Sequence, residues 1–327
     1  MKKKVLITGI TGFVGSHLAD YILSLKDSNI RVHGIRRWRS PTENIESVID
    51  KIELDYCELL DFKSTFDLIR RIKPDIIFHL AAQSYVVTSF NAPINTIETN
   101  ACGTINLLEA IRYSKIDPIV HICSSSEVYG QVRKSEVPIN ESQPFRPASP
   151  YAVSKVAQDM AAYQYFISYG IKTIRTRMFT HTGPRRGEVF ASSSFARQIA
   201  LIEHGLQTPV VHVGNLKSIR TFCDVRDTVR AYWLLVNKCP PGEVYNIGGQ
   251  RTMSVGQMLD ILLSMTDRKI KIKVEPYLLR PSDVTLQIPD ISKFQRETNW
   301  KPKITLEETL KDLLNYWRGK IRRLYAS

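Results

Sequence analysis

Lys4-Val5-Leu6-Ile7-Thr8-Gly9-Ile10-Thr11-Gly12-Phe13-Val14-Gly15 is the stretch that decides the fold. A short apolar, β-branched run enters glycines at positions 9, 12 and 15, and the residues after them carry the period of an amphipathic helix. Glycines so spaced at a strand-to-helix turn let the backbone approach a pyrophosphate, which rests on the positive N-terminal end of the helix. Gly9, Thr11, Gly12, Phe13, Val14 and Gly15 are the expected cradle.

Outward from this turn, short apolar runs recur at residues 4–8, 31–35, 52–56, 75–81, 119–124 and 173–179. Helical periodicity fills the intervals at 13–26, 62–72, 94–113 and 151–169. The alternation predicts right-handed βαβ units and a doubly wound parallel α/β sheet of the Rossmann type over residues 1–180. Beyond it the pattern loosens into pieces marked by Pro184, Gly205, Pro209, Gly214, Gly242 and Gly248, with helices expected at 225–236, 255–266 and 306–318. Residues 181–327 read as a smaller, mixed α/β substrate-binding domain, some of whose segments return to the sheet.

The 327 residues, 43% hydrophobic and 24% charged, are ordinary globular material with enough for a real core. No run approaches the roughly 20 apolar residues that a spanning helix needs. Gly9, Thr11 and Gly12 also interrupt the first apolar run too early for a signal peptide, so a cytoplasmic protein without a membrane partner is expected. Lys and Arg number 45 against 32 Asp and Glu, a net +13. That charge is scattered, with clusters only at Arg36/Arg37/Arg39, Arg185/Arg186 and Lys320/Arg322/Arg323, and no nucleic-acid signature accompanies it. Cationic pockets for phosphate-bearing small molecules account for part of the excess, and the C-terminal cluster reads as a solvated end. Cys57, Cys102, Cys123, Cys223 and Cys239 lack metal-ligand spacing and read as buried small hydrophobes; no metal is expected.

The second strand ends in Gly34-Ile35-Arg36-Arg37, where a preference for NAD calls for an acidic residue on the ribose hydroxyls. Arg36 and Arg37 suit a 2′-phosphate instead, so NADP is the expected cofactor, with Arg39 and Ser40 as helpers. Tyr151 and Lys155 lie four apart and share a helix face; a nearby ammonium favours the phenolate over a phenol of ordinary pKa about 10. Ser125, just past the fifth strand, is placed to hydrogen-bond the same substrate oxygen.

Gly9/Gly12/Gly15, Leu80-Ala81-Ala82, Asn100, Ser124-Ser125-Ser126, Tyr151-Ala152-Val153-Ser154-Lys155 and Arg280-Pro281-Ser282-Asp283 together resemble the extended short-chain dehydrogenase/reductases over nearly the whole chain. A closer similarity is to the GDP-mannose 4,6-dehydratases. It is carried by Leu80-Ala81-Ala82-Gln83-Ser84, Ser125-Ser126-Glu127-Val128-Tyr129-Gly130, Pro184-Arg185-Arg186-Gly187-Glu188-Val189-Phe190 and Leu279-Arg280-Pro281-Ser282-Asp283-Val284. The resemblance implies a catalytic set of Ser125, Glu127, Tyr151 and Lys155. Glu58, Leu59, Leu80, Ala81, Ala82 and Ser84 would join the glycine turn, the arginines, Tyr151 and Lys155 around the cofactor. A GDP-sugar would meet Ser84, Ser126, Glu127, Thr180, Arg186, Glu188, Arg220, Arg280 and Asp283. In such a dehydratase oxidation at C4 of the sugar acidifies the C5 proton, and Glu127 removes it and helps expel the C6 hydroxyl. The stretch from Pro184 to Phe190 sits near a neighbouring subunit in the resembled enzymes, which implies a homo-oligomer, dimer or tetramer.

Two departures bear on the substrate. Thr180 stands where the family has asparagine near the sugar, which leaves GDP-mannose and GDP-manno-heptose both open, and Glu58 stands where an aspartate commonly meets the adenine. A sister branch, the GDP-4-keto-6-deoxy-mannose reductases, is also resembled at Val213-Gly214-Asn215-Leu216 and Asp224-Val225-Arg226-Asp227. Gln83-Ser84 and Pro184-Arg185-Arg186-Gly187 point toward the dehydratase. A non-catalytic dinucleotide sensor on the same fold would have little use for Ser125, Glu127, Tyr151 and Lys155 together.

Overall fold

A computed structural model describes residues 2–325. The first half runs β1 (Lys3–Thr8), α1 (Phe13–Ser24), β2 (Ile30–Arg36), β3 (Glu53–Tyr56), α2 (Phe62–Ile72), β4 (Ile76–His79), α3 (Val86–Asn91), α4 (Pro93–Ile97), α5 (Gly103–Ser114), β5 (Ile119–Ser125), α6 (Pro150–Tyr169) and β6 (Thr173–Met178). The second half adds β7 (His181–Thr182), α7 (Ala191–Glu203), β8 (Val210–Val213), β9 (Ile219–Thr221), β10 (Cys223–Asp224), α8 (Val225–Lys238) and β11 (Val244–Ile247). It closes with β12 (Thr252–Ser254), α9 (Val255–Leu263), β13 (Lys271–Val274), β14 (Leu286–Gln287), α10 (Ser292–Thr298) and α11 (Leu306–Tyr325).

Seven strands form one sheet in the order β11-β6-β5-β4-β1-β2-β3, and every pairing in it is parallel. Successive side chains of β1 go to opposite faces: Val5 and Ile7 join α1 and α8, whereas Leu6 joins α2, α5 and α6. Burial on both faces is why these strands read as continuous apolar runs. β11 comes from the second half of the chain and pairs with β6, and α8 covers the same face as α1, so residues beyond 180 help build the sheet. A separate core joins α7, α9, α11 and β8 around Leu310, Leu313 and Trp317.

Several expectations are corrected by tertiary contacts. The fourth strand stops at His79 rather than continuing through residue 81, because the N–H groups of Leu80 and Ala81 go to Thr8 Oγ1, each at 3.0 Å. The single helix expected over 94–113 is interrupted by a wide π turn at Glu98–Cys102. That turn carries Asn100 inward to bond the Gln83 backbone and Ser154. α11 runs to Tyr325, and Lys320 on it pairs with Glu43 at 2.9 Å instead of standing free in solvent. Cys102 is exposed and Cys123 half-buried, so only Cys57, Cys223 and Cys239 are the buried hydrophobes expected. Among the described residues no helix is long and apolar enough to cross a membrane, and no group of three His, Cys, Asp or Glu is gathered for a metal.

Candidate functional site

A cleft of about 1050 Å³ runs over the C-terminal edge of the sheet and on beneath the second-half segments. At one end Gly9 takes φ +68, and a Cβ there would press on the Ala81 backbone at 3.0 Å. A Cβ on Gly15 would lie 2.3 Å from the Gly9 carbonyl oxygen, so the turn folds onto α1 only as glycine. Gly12 caps α1 without any side-chain bond, leaving the first-turn amides open to an anion. Thr11, Phe13 and Val14 line the same end. Arg36 donates to the Tyr56 hydroxyl at 2.6 Å and to the Ser40 carbonyl at 3.1 Å, and its Nε is buried without a partner. Arg37, Glu58, Leu59, Leu80, Ala81, Ala82 and Ser84 also line the cleft.

At the middle of the cleft α6 begins under a Ser149 cap, whose hydroxyl accepts from Ala152 N at 3.1 Å, with Pro150 at the first helical position. The helix turns Tyr151 and Lys155 inward, 8% and 4% exposed. Lys155 stands beside the Tyr151 ring and is held there by two other acceptors. Its Nζ donates to the Cys123 carbonyl at 2.7 Å and to Gln158 Oε1 at 2.6 Å, and lies 6.0 Å from the Tyr151 ring centroid. Burial pushes the Tyr151 phenol above its usual range, with the Ser125 hydroxyl opposing. Burial likewise holds the Lys155 ammonium below its usual range.

Ser125 ends β5 with an extended backbone, and its Oγ accepts from Glu127 N at 3.2 Å. This bond starts the short turn Ser126–Tyr129 and sets Glu127 in the cleft, half-buried. Burial raises the Glu127 carboxyl, opposed by Arg220 and Arg280. Those two guanidinium groups converge on Asp283 Oδ1, each at 3.8 Å, while Oδ2 accepts from Asn215 at 2.7 Å and Ser218 at 2.9 Å. Arg186 lies between the Phe13 ring, 5.0 Å away, and the Phe190 ring, 3.9 Å away. Arg186 Nε and one terminal nitrogen of Arg220 are buried without partners, a state that suits groups awaiting phosphate oxygens. Ser126 and Thr180 line the same space.

The helper Arg39 lies outside this cleft, its guanidinium over the Trp38 ring at 4.7 Å, and every residue assigned to the catalytic, cofactor and substrate sets lines it except Glu188. It pairs with Arg197 of α7 at 2.8 Å and lines a second pocket of about 300 Å³ with Arg185, Trp317 and Lys320. Stacking of Arg186 on Phe190 fills the inward side of that turn, and the Arg197 charge draws the carboxylate outward. Sequence reasoning missed Gln158, His79 and Thr104 behind Lys155, and His212, Phe195 and Met258 beneath the second half. Only Gln158 carried a local signal, lying three residues after Lys155 on one helix face.

Residues 6–313 match the family described as GDP-mannose 4,6 dehydratase. The chain is 34% identical to the GDP-mannose 4,6-dehydratase of Yersinia enterocolitica, over 95% of this chain and 93% of that one. It is 30% identical to the GDP-6-deoxy-D-mannose reductase of Pseudomonas aeruginosa, over 98% and 99%. Among solved structures it resembles RMD from Pseudomonas aeruginosa complexed with NADPH, with a TM-score of 0.84, 30% identity and coverage of 98% and 100%. It also resembles a Thermus thermophilus UDP-glucose 4-epimerase complex with NAD, with a TM-score of 0.85, 26% identity and coverage of 97% and 99%. Glycine turn, inward Tyr151 and Lys155, Glu127 and the family match extend over one continuous chain, which belongs to the GDP-mannose 4,6-dehydratase family.

Proposed function

We propose that this chain is a GDP-sugar 4,6-dehydratase that turns GDP-mannose, or the related GDP-manno-heptose, into its 4-keto-6-deoxy product with NADP. The observation that carries the reading is Glu127, a half-buried carboxyl raised by burial and sharing the cleft with Tyr151 and Ser125. Such a group is an acid-base residue beyond what simple alcohol oxidation requires. The uncapped α1 terminus, the glycines that admit close backbone approach, and Arg36 and Arg37 fit NADP, whose chemistry when bound is to accept and return hydride.

In this reading Tyr151 takes the proton of the C4 hydroxyl as the C4 hydride departs, and Ser125 holds that oxygen in line. Glu127 removes the C5 proton and delivers a proton to the C6 hydroxyl, which leaves as water. A bound cofactor would return the hydride to C6 while C5 takes back a proton, so atoms and electrons would balance within one turnover. Arg186, Arg220 and Arg280 hold the diphosphate, and Asp283 anchors the last two of them. Homo-oligomeric assembly belongs to the same reading, supported by the apolar residues Ile105, Tyr113, Val153, Met160, Tyr163 and Ile167 left exposed on α5 and α6.

A second reading is a GDP-4-keto-6-deoxy-mannose reductase, favoured by the Pseudomonas aeruginosa relative that matches end to end. One experiment separates them. The dehydratase forms 4-keto-6-deoxy product from GDP-mannose or GDP-manno-heptose without added cofactor, moves deuterium from C4 to C6, and gains solvent deuterium at C5. Glu127→Gln then oxidises C4, stalls elimination and accumulates up to about one equivalent of reduced cofactor per site. Full activity in Glu127→Gln, or loss of the C4 label to the medium, refutes the mechanism. Stoichiometric consumption of NADPH with a 4-keto-6-deoxy sugar assigns the reductase instead.

A further inference from the structure

We propose that Gln158, oriented by Thr104 and His79, is the positioning residue that holds the Lys155 ammonium at the reacting centre. The inference rests on reading Tyr151 and Lys155 as the acid-base pair of the proposed reaction. It begins at the one group whose hydrogen-bonding role is fixed, because an ammonium only donates. Lys155 Nζ is 2.6 Å from the Gln158 amide, so the atom facing it must be the oxygen. The amide nitrogen then points away and donates to Thr104 Oγ1 at 2.8 Å. Thr104 gives its own proton to the Asn100 carbonyl at 2.6 Å, so toward His79 Nε2, 2.9 Å away, it only accepts. His79 is therefore the Nε2–H tautomer, and its Nδ1 accepts from Thr8 Oγ1 at 2.9 Å. The Thr8 oxygen accepts in turn from the N–H groups of Leu80 and Ala81 in the wall of the cleft. The charge at one end thus assigns every proton along the chain.

Thr8, His79, Thr104 and Gln158 are at most 1% exposed, so none of these bonds is exchanged with bulk water. Burial favours neutral lysine and neutral histidine: Lys155 is held below its usual range and His79 is pushed down to about 3. The Gln158 carbonyl oxygen opposes loss of the lysine charge without adding a charge of its own. With the Cys123 carbonyl it takes two of the three ammonium protons and leaves the third for the cleft. The other titratable groups facing Lys155 are Cys123 and His121 on β5, His79 on β4, and Tyr151 and Asp159 on α6. The Asp159 charge is already matched by Arg175 and Arg177 of β6.

Gln158→Leu, Thr104→Val, Thr104→Ser and Lys155→Met in the full chain test the proposal. Trace acetylation of Lys155 across pH, read by peptide mass spectrometry, follows its titration without any turnover, and far-ultraviolet circular dichroism with urea unfolding reports that each variant is folded. Gln158→Leu lowers the Lys155 midpoint by about one pH unit, a roughly tenfold fall in the charged-to-neutral ratio. It also moves the acid-side limb of the turnover profile to higher pH, since a phenol that loses its ammonium neighbour ionises later. Thr104→Val shifts both in the same direction, because the amide is then free to turn; Thr104→Ser keeps the hydroxyl and restores the wild-type values. Should Gln158→Leu fail to fold, the Thr104 pair decides. An unchanged midpoint in folded Gln158→Leu, or equal shifts in Thr104→Val and Thr104→Ser, overturns the proposal. Full turnover in Lys155→Met overturns the acid-base reading beneath it, and the two failures are distinguishable because acetylation does not depend on activity.

Discussion

Arg36 is held in place before any phosphate reaches it, by the Tyr56 hydroxyl, by the Ser40 carbonyl and by the face of the Tyr56 ring 4.7 Å away. Such pre-arrangement lowers the side-chain entropy that a 2′-phosphate contact would otherwise cost. Replacing Arg36 and Arg37 together by Ala should therefore weaken NADP binding by at least about tenfold, given roughly 1.5–3 kcal/mol for each charge-assisted bond. NAD, which lacks that phosphate, should lose much less. Calorimetry with both cofactors checks this, and equal losses would remove Arg36 and Arg37 from cofactor choice. These arginines were legible because they stand at the end of a strand whose apolar pattern is local. Glu188 was not, because its direction depends on Phe190 and Arg197 rather than on its own neighbours in sequence.

α6 shows the same contrast along one element. Its inward face presents Tyr151 and Lys155 to the cleft, and one turn later Asp159 bonds both Arg175 and Arg177, at 3.1 and 3.0 Å, with the carboxylate fully buried. Arg177 continues to the Tyr129 hydroxyl at 3.1 Å and the Glu141 carbonyl at 2.8 Å. The Tyr129 hydroxyl donates to Asn246 at 2.7 Å. One carboxylate thus ties α6 and β6 to the segment that begins with Ser125 and Glu127. Asp159→Asn leaves two buried guanidinium charges without their counter-ion and should cost about 3–5 kcal/mol of stability, the range for breaking a buried pair from one side. Urea unfolding measures it; a loss below about 1 kcal/mol would mean that water already screens the cluster. Asp159 lies four residues after Lys155 and so shares its helix face, but nothing local to α6 names the two arginines of β6 as its partners.

Across the whole molecule, the buried centre of the sheet makes stability depend on pH. His79 and His121 lie beneath it at 1% and 0% exposure, each pushed down to about 3, first by burial and then by neighbouring charge. Their folded values lie below the unfolded value near 6.5, so between about 6.5 and 3 the unfolded chain binds more protons and stability falls as pH falls. From pH 7 to pH 5.5 each histidine should withdraw about 1.3 kcal/mol, in a range where ordinary carboxylates scarcely titrate. Urea unfolding at the two values reads the difference, and His121→Asn should reduce it by about 1.3 kcal/mol. Equal stability at both pH values would contradict the burial of these rings as neutral species.

The features legible before the fold were those whose cause is local. Alternating apolar periods specified the order of the β1 to β6 units, glycines at 9, 12 and 15 specified the anion-facing turn, and a four-residue spacing put Tyr151 and Lys155 on one face. Tertiary structure alone decided what those side chains meet. It ended β4 at His79 through the Thr8 hydroxyl, brought β11 back beside β6, and turned Glu188 out of the cleft. It also placed Gln158 rather than the phenol against the Lys155 ammonium. The physical reason is common to all four. A strand or helix period depends on neighbours a few residues away, whereas a buried donor or charge is satisfied by whichever acceptor the packing of distant segments delivers to it.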